Sequence, residues 1–84
     1  MRLTRRITAQ NRVAIPKRIR ELLNIEAGDL IEVEFEREGR TAPEVLSAMR
    51  DGQLHLPEAL RRALDASAGD IVTLTIKNVN KRRI

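Results

Sequence analysis

Apolar residues alternate with polar or small ones around Val13 and Ile15, shift to helical spacing at Ile19, Leu22 and Leu23, and return to strict alternation at Ile31, Val33 and Phe35. Alternation marks a strand with one buried face, and the i, i+3, i+4 spacing marks one buried stripe of a helix. The pattern predicts a strand, a helix of about two turns and a second strand. Pro16 stands at the first junction, where a first helical residue can spare its N–H. Asn24 predicts a left-handed helix cap. Gly28 and Asp29 predict a turn in which the carboxylate bonds nearby backbone N–H groups. Glu32, Glu34 and Glu36 form the solvated face of the later strand.

The same order then recurs. IPKRIRELLNIEAGD at residues 15–29 is answered by LPEALRRALDASAGD at 56–70. Pro16, Arg20, Leu23, Ala27, Gly28 and Asp29 return without a gap as Pro57, Arg61, Leu64, Ala68, Gly69 and Asp70, an offset of 41 (57 − 16). Val13, Ile15, Ile19, Leu22, Ile25, Leu30, Ile31, Val33 and Phe35 meet Leu54, Leu56, Leu60, Ala63, Ala66, Ile71, Val72, Leu74 and Ile76 in the same frame. Another candidate strand precedes each copy, LTRRIT in the first and VLSAM in the second. The chain therefore reads as one domain over 1–84 built from a tandem repeat, about residues 3–43 and about 44–84. Two copies are too few for a solenoid, and half a chain this short rarely buries enough apolar surface to offset its conformational entropy. Two interlocked halves that close their sheet edges resolve the difficulty.

Composition removes several functions. With no Cys among 84 residues there is no disulfide frame, thiol nucleophile or thiolate metal site. No run approaches the length of a membrane span, and MRLTRRI lacks the apolar stretch of a secretory leader, so the expected setting is the cytoplasm. His55, flanked by Leu54 and Leu56, reads as an exposed strand residue, and a lone imidazole makes no zinc site. Ser47 and Ser67 have no visible base, the three glutamates read as one solvated face rather than a catalytic pair, and Gly28 and Gly69 make no phosphate loop. Neither an enzyme nor a bound cofactor is expected.

The net charge of +4 conceals a divided chain. Residues 1–20 carry seven basic side chains and no acid, whereas residues 21–44 carry eight acids against Arg37 and Arg40. A basic block of this kind points to a polyanionic partner. Thirteen of the sixteen basic residues are Arg, whose guanidinium fork grips phosphate and the guanine O6 and N7 edge. With Phe35 as the sole aromatic, there is no stacking platform for single strands or RNA. Duplex DNA is the remaining polyanion.

RRITAQNRVAIPKRIRELLNIEAGDLIEVEFE resembles the DNA-binding domain of the AbrB and SpoVT regulators and the MazE antitoxins. The resemblance lies in its basic strand, apolar strand ending in Ile-Pro, Arg-bearing helix and Gly-Asp turn. The second copy fits the same frame from Leu46 to Ile76. The resemblance implies a mainly β fold with two short helices, a swapped-hairpin β-barrel of the AbrB (cradle-loop) type whose pseudo-twofold comes from the internal repeat. The non-swapped or double-psi threading of related cradle-loop barrels stays open. It also implies a DNA-binding transcriptional regulator, in which Arg5 and Arg6 match the basic pair of the first strand, Arg12 the Arg opening the second, and Arg20 a helical Arg. Lys17, Arg18, Arg61 and Arg62 join them as helix-borne candidates. Copy two departs from the pattern, with Leu46, Ser47 and Gln53 where Arg5, Arg6 and Arg12 stand. An antitoxin, or a barrel used only for protein interaction, are the alternative functions. The expected partner is duplex DNA, with a homodimer of the pseudo-dimeric chain allowed and a toxin not expected. Lys81, Arg82 and Arg83 read as a phosphate-seeking tail or a frayed end.

Overall fold

Each predicted strand and helix forms in the computed structural model, which describes residues 1–81. The order is β1 (Arg2–Arg6), β2 (Arg12–Ala14), α1 (Lys17–Leu23), β3 (Leu30–Arg37), β4 (Arg40–Ser47), β5 (Gln53–His55), α2 (Glu58–Leu64) and β6 (Ile71–Asn80). The fold is mainly β with two helices of seven residues each. Pro16 and Pro57 are the N-caps, one position earlier than the first helical residue. Asn24 and Asp65 close the helices in the left-handed conformation, each donating its N–H to carbonyls of the last turn.

The strands form two sheets, a four-stranded antiparallel sheet in the order β1-β6-β3-β4 and a two-stranded ribbon of β2 and β5. The expected closed barrel is not formed. Tight turns join β1 to β2 and β4 to β5, closed by Thr8 N–H to the Arg12 carbonyl and Asn11 N–H to the Thr8 carbonyl in the first, and by Met49 N–H to the Gln53 carbonyl and Gly52 N–H to the Met49 carbonyl in the second. The three-residue ribbon strands are too short to carry those ladders further, so β1 and β4 remain sheet edges. Pro43 sits within β4, where an edge strand tolerates the missing N–H.

The ladders obey one numerical relation. Adding 41 to one partner and subtracting 41 from the other turns Arg2↔Thr75 of the β1–β6 ladder into Pro43↔Glu34, which the β3–β4 ladder contains. In the two other ladders the operation maps a pair onto itself at Val13↔Leu54 and at Glu34↔Thr75, whose members are 41 residues apart. These pairs mark the two ends of a local twofold axis. The relation breaks at a bulge between Glu32 and Val33 of β3, opposite which β6 carries Lys77 as the extra residue.

One core fills the space between the sheet and the ribbon, with Ile7, Val13, Ile15, Ile31, Val33, Phe35, Leu54, Leu56, Leu64, Val72 and Leu74 almost fully enclosed. The helices differ. Leu60 and Leu64 of α2 are buried against β4 and β3, whereas α1 buries no residue fully. Ile19 and Leu23 only lean on the core, and Leu22, assigned by its spacing to the buried stripe, is 67% exposed. The sheet edge equivalent to β4 is β1, with five residues against eight, so α1 has less strand to lie on.

Candidate nucleic-acid interface

The β2–β5 ribbon sends Val13 and Leu54 into the core, both with no exposed surface, so the neighbouring side chains of Arg12, Ala14, Gln53 and His55 project outward. Arg12 pairs with His55 and Ala14 with Gln53 in the register. On the diagonal, Arg12 Nη1 donates to Gln53 Oε1 at 3.4 Å. Arg12 Nε is buried and has no hydrogen-bond partner among the described residues. The ribbon is flanked by the turns at 8–11 and 49–52, in which Asn11 and Gly52 hold positive φ at equivalent positions.

The predicted basic residues separate into three groups. Arg5 is half-buried on the inner side of β1, the side of Leu3, and takes no hydrogen bond or ion pair among the described residues. Its neighbour Arg6 points to the opposite face, as alternation requires, and donates to the Gly69 carbonyl at 2.8 Å beside Glu36, Glu38 and Asp70. The adjacent pair in sequence is therefore not a pair in space, and Arg6 sits among acids.

The helical residues also divide. Arg20 Nε donates to the Ile15 carbonyl at 3.0 Å and Arg61 Nε to the Leu56 carbonyl at 3.1 Å, so both guanidinium groups brace the strand that leads into their own helix. Arg20 lies directly over Gly52, where a Cβ would come within 2.3 Å of Nε. Lys17 and Arg62 make exposed i, i+4 ion pairs with Glu21 and Glu58, at 3.9 and 2.6 Å. Such surface pairs contribute little to stability. Arg18 is exposed at the start of α1 without a partner among the described residues.

Arg50 escaped the repeat comparison because Ala9 is its counterpart. It is exposed on the turn before β5 and lines a cleft with Arg20 and Gly52. A cation in a turn leading into the strand of Gln53 was the available signal, and Asp51 beside it masked the charge. Lys81 does not extend as a tail. Its ammonium reaches the Asn24 carbonyl, the Glu26 carboxylate and Asp29. Arg82 and Arg83 lie outside the described residues.

The far side of the four-stranded sheet carries both signs, with Arg2, Arg6 and Lys77 among its acids. Glu32, Glu34 and Glu36 project there from β3, with Arg2 paired to Glu36 at 3.5 Å. Asn80 and Asn78 both donate to Glu32 and hold its carboxyl below the ordinary carboxylate range. Among the described residues no group of His, Cys, Asp or Glu could hold a metal, and no helix is long and apolar enough to cross a membrane.

Residues 4–41 match the family described as antidote-toxin recognition MazE, bacterial antitoxin. The matched segment is the first half of the chain, from β1 to the start of β4. The fold as a whole is similar to the solution structure of PHS018 from Pyrococcus horikoshii, with a TM-score of 0.87, 22% identity and coverage of 99% of this chain and 95% of that one. No curated protein matches the chain.

Proposed function

We propose that this protein is a duplex-DNA-binding transcriptional regulator of AbrB type. In it a single chain supplies both halves of an arrangement that the swapped-hairpin family builds from two. The observation that carries the reading is the outward face of the β2–β5 ribbon with its flanking turns. That face presents Arg12 on an element of the width that a major groove admits, with Arg50 exposed on one flanking turn. Arg5 and Arg18, which have no internal partner among the described residues, supply further contacts, and Lys17 and Arg62 exchange their glutamates for phosphate. Arg20 and Arg61 contribute through the Nη groups that their internal bonds leave over, whereas Arg6, bonded to Gly69 on the opposite face of β1, adds only long-range charge.

Fluorescence anisotropy with duplex DNA across a salt series tests the reading on the wild type and an Arg5, Arg6, Arg12 triple Ala variant. Log affinity falls with log salt at about −0.9 per phosphate contact, so the wild type loses affinity steeply and the variant is weaker and less salt-sensitive. Equal affinities overturn the reading.

A second reading, an antitoxin, rests on the description of the family matched by residues 4–41 and uses the same DNA face. Recovery of a stoichiometric toxin with the native protein favours it; recovery of the protein alone favours the regulator.

A further inference from the structure

The local twofold axis that passes through Val13 and Leu54 relates Arg12 to Gln53. In a strictly symmetric assembly both positions would carry Arg, and two guanidinium groups would face each other across the diagonal. Here the second is an amide and the two side chains bond at 3.4 Å. A guanidinium has donors only, so the amide must turn its oxygen toward Arg12 and its NH₂ away. The bond to Arg12 takes one of the two lone pairs of Oε1, so the bidentate acceptor-donor pairing by which glutamine reads adenine N6 and N7 must share its acceptor with Arg12. Gln53 Nε2 and the Arg12 Nη groups then outnumber that shared acceptor as donors.

We propose that Arg12 and Gln53 act as one donor-rich reading unit at the centre of the interface. The unit selects acceptor edges, guanine O6 and N7 or thymine O4, at adjacent base steps and makes the centre of the preferred site non-palindromic. The second half of the chain thereby contributes specificity where it lacks charge. This inference rests on the duplex-DNA reading above and names the residue pair that would discriminate within it.

The test is selection from random duplex DNA with the full chain, followed by anisotropy on the selected duplex, for wild type, Gln53→Ala and Gln53→Arg. The wild type is expected to select a site with guanine or thymine acceptors at its centre and no twofold symmetry there. Gln53→Ala, with unchanged circular dichroism, loses preference at one central position and binds the wild-type duplex about tenfold more weakly, while its salt slope stays the same. Gln53→Arg steepens the slope by about 0.9 and shifts selection toward palindromic centres. A purely structural role for Gln53 would leave the selected motif intact. Gln53→Ala selecting the wild-type motif with unchanged affinity overturns the inference alone, as does a Gln53-dependent central adenine. A wild type without salt-sensitive duplex binding overturns the function and the inference together.

Discussion

Lys81 and the buried Asp29 meet as an ion pair across 52 residues of chain, the last described residue of the protein closing on its first Gly-Asp turn. The other Gly-Asp turn is held the same way. Arg37, at the end of β3, donates to the Asp65 carbonyl at 2.6 Å and pairs with Asp70 at 3.4 Å, as Lys81 reaches the Asn24 carbonyl and Asp29. Each cation thus pins both the left-handed helix cap and the turn that follows it. Removing either should lower thermal stability: Lys81→Met and Arg37→Met are expected to melt below the wild type, and the exposed Lys77→Met to melt with it. Scanning calorimetry at neutral pH checks the order.

These turns also set a pH dependence. The Ser67 N–H bond, aided by Arg37, holds the Asp70 carboxyl below its ordinary 3.8. A carboxylate favoured in the folded state adds stability above its unfolded pKa and loses it as pH falls through the folded value. The stability gap between wild type and Asp70→Asn should therefore be constant at neutral pH and shrink on acidification below 3.8. Lys81 behaves inversely. The bond to Asp29 raises its pKa above 10.5, so its contribution is whole below that pH and is lost as pH climbs through the folded value. Urea titrations over a pH series give both limbs.

Arg20 and Arg61 should reveal themselves as braces. Arg20→Ala and Arg61→Ala are expected to lower stability with smaller effects on DNA affinity than Arg12→Ala, because their Nε donors serve Ile15 and Leu56. Gly52→Ala should destabilise by more than about 1 kcal/mol, since alanine is disfavoured at a φ of +80 and its Cβ would press on the Arg20 guanidinium. Denaturant midpoints for the four variants, set beside their anisotropy curves, separate bracing from binding.

Of the three strand arginines, Arg6 is expected to matter least to DNA affinity. Its guanidinium is bonded to Gly69 on the acidic side of β1, whereas Arg5 and Arg12 belong to the ribbon side. Single Ala variants measured by anisotropy at one salt concentration should rank Arg12 and Arg5 above Arg6 in lost affinity.

The strands were legible because one face of each is buried, and strict alternation at Ile31, Val33 and Phe35 leaves no second reading of the register. The helix caps were legible at Asn24, where residue type and conformation agree. Leu22 was not, because a seven-residue helix gives only one repeat of the stripe and the shortness of β1 decides what it covers. The candidate site was legible as residue types and misleading as geometry. Sequence places Arg5 beside Arg6, yet a strand sends them to opposite faces; it hides Arg12 from Gln53, which only the ribbon register brings together. Lys81 read as a solvated tail, since nothing local to it announces a carboxylate 52 positions earlier.

Three of the four ladders join strands from distant parts of the chain, β1 with β6, β2 with β5 and β3 with β6, whereas β3 and β4 form a local hairpin. The N-terminal residue itself bonds to the Ile76 carbonyl, 75 positions away. Loop closure must therefore precede most of the reward, which places the protein among slow folders for its size. During synthesis the first forty or so residues have no sheet to join, so β1 stays unpaired until β6 has left the ribosome. A nascent chain of that length would bind chaperone or remain protease-sensitive, and protection should arrive in one step when the last strand is released.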